Sequence, residues 1–381
     1  VKTVPGCSGA QAQPLGQQQR GPLLHPPSPL HLGRNPGATL AEGLRMSLPQ
    51  GYAADAGGGG RARFQHTPVM VSEVVELFAP VPAGVLLDAT VGAGGHATAL
   101  LRAMPAMRLV GLDRDPEAVS AAREALLPFG DRATIVKERF DHLAEVLGRL
   151  GVSRVVGALF DLGVSSAQLD RPERGFSYRF AGPLDMRMGP DARMSASDLV
   201  NTEPPEQLAA LFARHGEERF ARRIAEAIAA QRPVSTTREL ADVVASAVPA
   251  AVRRRGHPAK RVFQALRAAV NEELEVLPAA LDAAIELLEP GGRIVVISYH
   301  SGEDRVAKAR LLEAATGGCR CPAGLPCACG ASSKLRLLAR GARKPSPDEV
   351  AANHRAESAR LRAAEKRPDG LGPERRPGGF V

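Results

Sequence analysis

The feature that most constrains the fold of this chain is an alternation of two hydrophobic textures between residues 85 and 163. VLLDAT (85–90), LVGLDRD (109–115), ATIVKERF (133–140) and VVGALFDLG (155–163) are short continuous apolar runs, as strands buried on both faces require. Between them, the stretch after the glycines at 92–95, PEAVSAAREALL (116–127) and DHLAEVLGRL (141–150) space their apolar residues as helices do. Strand and helix in strict turn predict an α/β fold with a doubly wound parallel sheet.

The alternation breaks after Asp161. From about residue 190 to 275 the segments PPEQLAALFARHG, EERFARRIAEAIAAQ, TTRELADVVASAV and KRVFQALRAAVNEEL all carry helical spacing, which predicts an inserted all-helical domain. LPAALDAAIELLEPGG then reads as a helix closed by a Pro-Gly-Gly stop, and RIVVISYH (293–300) as a strand returning to the sheet. These shifts divide the chain into an extension at 1–60, a first sheet portion at 61–170, a mainly helical substrate-recognition insertion at 171–274, a second sheet portion at 275–365 with a Cys-rich loop at 319–329, and a tail at 366–381. The extension is rich in Pro, Gly and Gln and has no acidic residue before Glu42, so it is expected to be disordered, as is the tail. Met46 offers a later start than Val1, which would place residues 1–45 upstream of the functional chain.

No apolar run approaches the roughly 20 residues that span a bilayer, and the N-terminal stretch lacks the order of a signal peptide, so a cytoplasmic protein without membrane contact is expected. The 49 Lys and Arg exceed the 41 Asp and Glu, giving a net charge of +8 that favours an anionic partner.

In an open parallel sheet, ligands gather beyond the carboxyl ends of the strands. That places Asp88 and the loop glycines Gly92, Gly94 and Gly95 at the floor of the expected pocket, followed by His96. The pattern is GxGG, lacking the third glycine of a dinucleotide fingerprint, and a ligand-free tight turn explains it equally well. Asp113 ends the next strand about 20 residues on, where a carboxylate can accept both ribose hydroxyl hydrogens; a solvated turn aspartate is the alternative. Phe140 offers either an adenine-packing face or ordinary core. Asp161 ends the fourth strand, nearest the reacting part of a bound nucleoside, although an N-cap role competes. Gln168 supplies a donor and an acceptor, or is a surface glutamine.

Three further groups carry candidate chemistry. In RGFSYRF, Phe176, Tyr178 and Phe180 alternate beside Arg174 and Arg179, as in a half-buried strand or as a platform for an unstacked base. Arg253, Arg254, Arg255, His257, Lys260 and Arg261 crowd the start of a long helix, fitting an RNA backbone or a solvated basic face. Cys319, Cys321, Cys327 and Cys329 form CxCx5CxC, either a tetrahedral thiolate site or a loop of reduced thiols. Neither reading puts the cysteines at the nucleoside pocket, so no metal is assigned to the site residues.

Taken in order, HTPVMVSEVVE, DATVGAGGH, GLDRDPEA, DLGVSSAQLDRPERGFSYRF, GPLDMRM, HPAKRVFQALRAAVNEEL, RIVVISYHSGEDRVAK and KPSPDEVAANHRAESARLRAAEK resemble the bacterial 16S ribosomal RNA cytosine-N4 methyltransferases, the RsmH or MraW family. The resemblance runs from about His66 to Lys366. It departs from the family at Ala181, where an acidic residue is usual, and at His354 and Glu357, where Pro and Arg are usual. It implies a class I S-adenosylmethionine-dependent methyltransferase with a Rossmann-like sheet, S-adenosyl-L-methionine as cofactor, and 16S rRNA of the small ribosomal subunit as partner. Position by position it implies cofactor contacts at Gly94, Gly95, His96, Asp113, Phe140, Asp161 and Gln168. Methyl transfer to a cytosine amine would further be helped by an acceptor for one N4 hydrogen, a role open to Asp161 or to a nearby backbone carbonyl. It leaves the oligomeric state open, a homodimer included. Two other classes compete on the residues alone: a non-catalytic RNA-binding or ribosome-assembly protein, suggested by the basic helix, and an NAD-dependent oxidoreductase, suggested by the loop with Asp113.

Overall fold

In a computed structural model, the residues described are 68–254, 256–322 and 328–368. The extension 1–60 with Met46, His66, Arg255, Cys327 and the chain beyond Pro368 lie outside them. Among the described residues, seven strands form one sheet: β1 (Val85–Asp88), β2 (Arg108–Asp113), β3 (Ala133–Lys137), β4 (Val155–Asp161), β5 (Leu288–Ser298), β6 (Leu335–Leu337) and β7 (Arg360–Lys366). Their spatial order is β3-β2-β1-β4-β5-β7-β6. β1 to β5 pair in parallel, as expected, while β7 runs antiparallel to both β5 and β6. The sheet is therefore mixed rather than wholly parallel, the order and single reversed strand of a class I methyltransferase.

The expected tail boundary at Lys366 also moves. Lys366 is buried at the end of β7, its Nζ donating to Ile285 O at 2.9 Å, and Arg367 N–H still donates to Lys334 O. The Pro-Gly-Gly stop is displaced as well: the preceding helix ends at Leu287, and residues 290–292 form an irregularity inside β5, between the pairs Val155↔Leu288 and Gly157↔Arg293.

The helices are α1 (Val71–Phe78), α2 (Gly95–Ala103), α3 (Pro116–Leu126), α4 (Leu143–Arg149), α5 (Ser166–Asp170), α6 (Ala196–Thr202), α7 (Pro205–Gly216), α8 (Ala221–Ala230), α9 (Thr237–Ala247), α10 (Ala250–Arg253), α11 (Ala259–Val270), α12 (Glu273–Leu287), α13 (Ser301–Thr316) and α14 (Pro347–Ala352). Successive residues of β1 point to opposite faces: Val85 and Leu87 pack with Leu281 and Ile285 of α12, Leu86 with Phe78 of α1 and Leu100 of α2. Burial on both faces is why these strands read as unbroken apolar runs.

The helical run α6–α11 has a core of its own, extending from Phe176 to Val270 and distinct from the clusters on the sheet. In α8 the buried positions are Ala221, Ile224, Ala225 and Ile228, an i, i+3, i+4, i+7 stripe. Capping boxes at Ser195/Asp198 and Thr236/Glu239 start α6 and α9 by satisfying backbone N–H groups that have no intrahelical acceptor. Asn271, 1% exposed, joins this core to the sheet. Its Oδ1 accepts from Met188 N–H (2.9 Å), its Nδ2 donates to Met186 O (2.8 Å), and its own carbonyl accepts from Arg114, just past β2 (2.8 Å).

Candidate active site

The turn from β1 into α2 is built on two left-handed glycines, Gly92 (φ 53°) and Gly94 (φ 83°). Gly92 N–H donates to Asp113 Oδ2 at 2.9 Å, tying the loop to the end of β2. A Cβ on Gly95 would stand 2.3 Å from Pro68 Cγ, so only glycine lets the start of α2 pass beneath residue 68. Gly94 faces the other way: a Cβ there would meet Ala122 Cα, Ala125 and Leu126 of α3. It supports close helix packing and is not on the pocket wall, whereas Gly92, Gly95, His96, Asp113, Phe140, Asp161 and Gln168 are.

Asp113 accepts two backbone N–H groups, Gly92 on Oδ2 and Asp115 on Oδ1 (both 2.9 Å), which leaves lone pairs on each oxygen. Burial pushes its carboxyl up to about 6, although those two N–H groups pull the other way. Asp115 caps α3 through Glu117 N–H and receives both Gln168 Nε2 (2.8 Å) and Arg174 Nη2 (2.9 Å). Gln168 Oε1 in turn accepts from Ser165 N–H, so its amide clamps the start of α5 to the start of α3 from the pocket wall. Phe140 lies in the same wall, edge-on to Phe160 with centroids 6.1 Å apart.

At the end of β4, Asp161 Oδ1 accepts the Tyr299 hydroxyl (2.8 Å), and Oδ2 lies 3.4 Å from His96 Nδ1. His96 Nε2 faces Val69 O at 2.9 Å, which places its proton there in the neutral ring. Burial, followed by the Asp161 charge, pushes the Tyr299 phenol well above its usual range, so it serves as a donor. Behind Tyr299, Arg267 makes a bidentate pair with Glu273 (2.8 and 2.7 Å) and lies 3.4 Å from buried Glu303. Burial opposes ionisation of Glu303, yet His300 and Arg267 hold its carboxyl below the ordinary value. Gly163 lies beside this group with φ 95°, a backbone conformation that favours glycine.

Gly95, His96, Asp113, Phe140, Asp161, Gln168, Glu273, Tyr299 and Glu303 line one cavity of about 320 Å³. Tyr299, Glu273 and Glu303 were not singled out from sequence. The available signal was topological: Tyr299 follows the end of β5, the strand beside β4.

Asp88, at the end of β1, is 1% exposed and does not line the cavity. Burial, with smaller contributions from Asp161 and Asp113, pushes its carboxyl from the usual 3.8 to about 8. The folded state therefore holds a proton that the unfolded chain releases, and the associated stability is lost as pH rises from about 4 toward 8. Asp88→Asn, neutral at every pH, is expected to raise the thermal midpoint relative to the native protein by a margin that grows over that window and then levels off. Melting curves of both proteins from pH 4 to 9 measure this; a constant difference refutes it.

The aromatic and basic groups converge as well, though not as a strand. Residues 175–181 form turns, starting at Gly175 (φ 73°), where a Cβ would stand 2.3 Å from Pro183 O, so the strand alternative for RGFSYRF is not realised. Phe176 is buried beneath Arg174, Phe180 is exposed, and Tyr178 stacks on His257 with centroids 4.5 Å apart. The Tyr178–His257 stack thus brings the two runs into contact. A second cleft, of about 410 Å³, is lined by Lys260, Lys344 and Arg360 and reaches Tyr299.

The sequence matches the MraW methylase family over residues 63–367. It is similar to the ribosomal RNA small subunit methyltransferase H of Thermobifida fusca, 54% identical over 309 residues, covering 79% of this chain and 93% of the relative. The protein of the same name from Heliobacterium modesticaldum is 49% identical over 310 residues (80% and 99%), and that from Mycolicibacterium smegmatis 49% over 314 residues (79% and 84%).

Proposed function

The chain belongs to the MraW methylase family, and on that premise we propose that it transfers a methyl group from S-adenosylmethionine to the exocyclic N4 of a cytidine in the decoding region of small-subunit ribosomal RNA. The observation that carries the reading is that Asp113 and the Asp161–Tyr299 pair share one cavity.

The residues present fit the cofactor. Asp113 keeps one acceptor position on each oxygen beyond its backbone bonds, matching the two hydroxyls of a ribose. Phe140 gives an aromatic wall, and the cavity lies in the range of small-molecule sites. S-adenosylmethionine, when bound, supplies an electrophilic methyl group on a sulfonium.

The chain then has two tasks: to align the amine and to exclude water. The cytosine amine is a weak nucleophile because its lone pair is delocalised into the ring. Asp161 acts by accepting one amine hydrogen, which localises that lone pair. Tyr299 fixes the Asp161 carboxylate through its hydroxyl, and the Arg267–Glu273–Glu303 group fixes the backbone of Tyr299, whose N–H donates to Glu303 Oε2 at 2.9 Å. Met188 and Asn271 bring the helical insertion over the cavity as cover.

The RNA partner is supported by the basic cleft that opens beside Tyr299. Replacing both Lys260 and Lys344 by Gln is expected to weaken RNA binding and to reduce the slope of log affinity against log salt by about 2, leaving cofactor affinity unchanged. Binding of labelled RNA across a salt series checks this; an unchanged slope removes the cleft from the RNA path. No described helix is long and apolar enough to cross a membrane.

The decisive experiment incubates the protein with labelled S-adenosylmethionine and purified small subunits from a strain lacking the activity, followed by nucleoside mass spectrometry. N4-methylcytidine is expected. Absence of transfer, or label in another nucleoside, overturns the reading, and NAD binding in place of S-adenosylmethionine would restore the oxidoreductase alternative.

A further inference from the structure

We propose that Cys319, Cys321 and Cys329 hold a structural zinc ion that fastens the long connection between α13 and β6. The sulfurs of these three residues lie within 4.8 Å of one another. Thiolates at about 2.3 Å from a tetrahedral zinc stand about 3.8 Å apart, so binding needs only a small contraction of the cluster.

The backbone shows how the cluster is assembled. α13 ends at Gly317 (φ 60°), and Gly318 (φ 71°) continues in the left-handed region, its N–H donating to Glu313 O. This double turn delivers Cys319 directly at the helix end, where its N–H donates to Thr316 O. The returning strand is pressed against the same turn: a Cβ on Gly317 would stand 2.3 Å from Ser332 O, and Lys334 N–H donates to Ala314 O. Cys329 approaches from that return, so the three ligands come from both arms of the connection.

What the connection lacks is an apolar anchor. None of the described residues from 317 to 334 belongs to a hydrophobic cluster, although Thr316 before them and Leu335 after them are buried. The described residues of this connection carry no regular structure, and a thiolate-bound metal supplies order to them. Binding releases a proton from each thiol to solvent and forms three zinc–sulfur bonds, with no change of oxidation state.

The role is structural by position. α13 carries Glu303 in its first turn, beside the cavity, and its sixteen residues put the cysteines roughly 24 Å away along the helix axis. The other set of convergent ligands among the described residues, Glu273, His300 and Glu303, is unsuited to a metal. Its carboxylates face Arg267, and His300 Nδ1 accepts the capping N–H groups of Gly302 and Glu303, which leaves the imidazole proton on Nε2.

The test is the metal content of the full chain, purified under reducing conditions without added metal and analysed by inductively coupled plasma mass spectrometry. About one zinc per chain is expected. Replacing zinc by cobalt(II) should give the thiolate charge-transfer and tetrahedral ligand-field bands, and X-ray absorption should count at least three sulfur ligands. Cys321→Ser and Cys329→Ser should each weaken zinc binding by at least about tenfold. Removing the metal with a chelator should lower the melting temperature of the native chain and leave that of the variants unmoved. Reduced thiols with no retained zinc and no cobalt bands would overturn the proposal, as would a disulfide among the three cysteines in the freshly isolated protein. The metal analysis of the native chain stands even if a variant fails to fold.

Discussion

Asp113→Ala lowers the affinity for S-adenosylmethionine by about two to four orders of magnitude, the expected loss when two hydrogen bonds to a charged acceptor, roughly 1.5–3 kcal/mol each, disappear together. The side chain also braces the cradle, since its oxygens hold Gly92 and Asp115 N–H, so part of the loss comes through a loosened loop. The native protein carries an internal control. Its Asp113 carboxyl is held near 6 by burial, and only the ionised form accepts both hydroxyls. Cofactor affinity should therefore be level above pH 7 and fall as pH drops through 6, approaching about tenfold per pH unit below it. Titration calorimetry across pH 5 to 8 tests both statements: Asp113→Ala should bind weakly and without that pH dependence. Native-like affinity in the variant would remove Asp113 from the cofactor site.

The second large effect falls on the chemical step. Asp161→Asn should reduce single-turnover methyl transfer by about 10²- to 10³-fold, the range for losing one preorganised polar contact at the reacting centre, while cofactor affinity stays within a few-fold. An amide at this position must turn its NH₂ toward either the Tyr299 hydroxyl or the incoming amine, and both require an acceptor. Tyr299→Phe keeps the carboxylate and removes only one of its tethers, so roughly a tenfold loss is expected. Rapid-quench measurements at saturating cofactor separate the two variants. Transfer by Asp161→Asn at the native rate would show that the amine is oriented by another group.

How far the chain could be read without coordinates depended on which residues reported their surroundings. β1, β2 and β4 announced themselves because burial on both faces leaves mainly apolar side chains, whereas β3, at the sheet edge, is only partly buried and was legible through its place in the alternation. β7 did not: RLRAAEK alternates charge with alanine and leucine, a composition equally at home on a helix. Its charges are accommodated by distant partners, Arg362 by Asp304 and Glu365 by Arg293 and Arg336, which local patterning cannot reveal. Asp113 and Asp161 were legible as cavity-lining residues because clefts form beyond the carboxyl ends of strands in this architecture. Gly94 was not, since a glycine that admits a ligand and one that admits a neighbouring helix look alike in sequence. Tyr299 acquires its partner only through the adjacency of β4 and β5. The stacking of Tyr178 on His257 likewise unites two segments that sequence could place only separately.

The place of β7 has a consequence for the order of events during synthesis. Residues 360–366 are translated after every other strand, yet they fill the slot between β5 and β6. Until that segment clears the exit tunnel, β5 presents an open edge and the strand leading to Tyr299 is flanked on one side only. A nascent chain thus has its nucleoside cradle complete well before the wall that carries Tyr299 is secured. Closure of the sheet beside Tyr299 therefore depends on a segment that lies more than sixty residues further along the chain than the strand it covers.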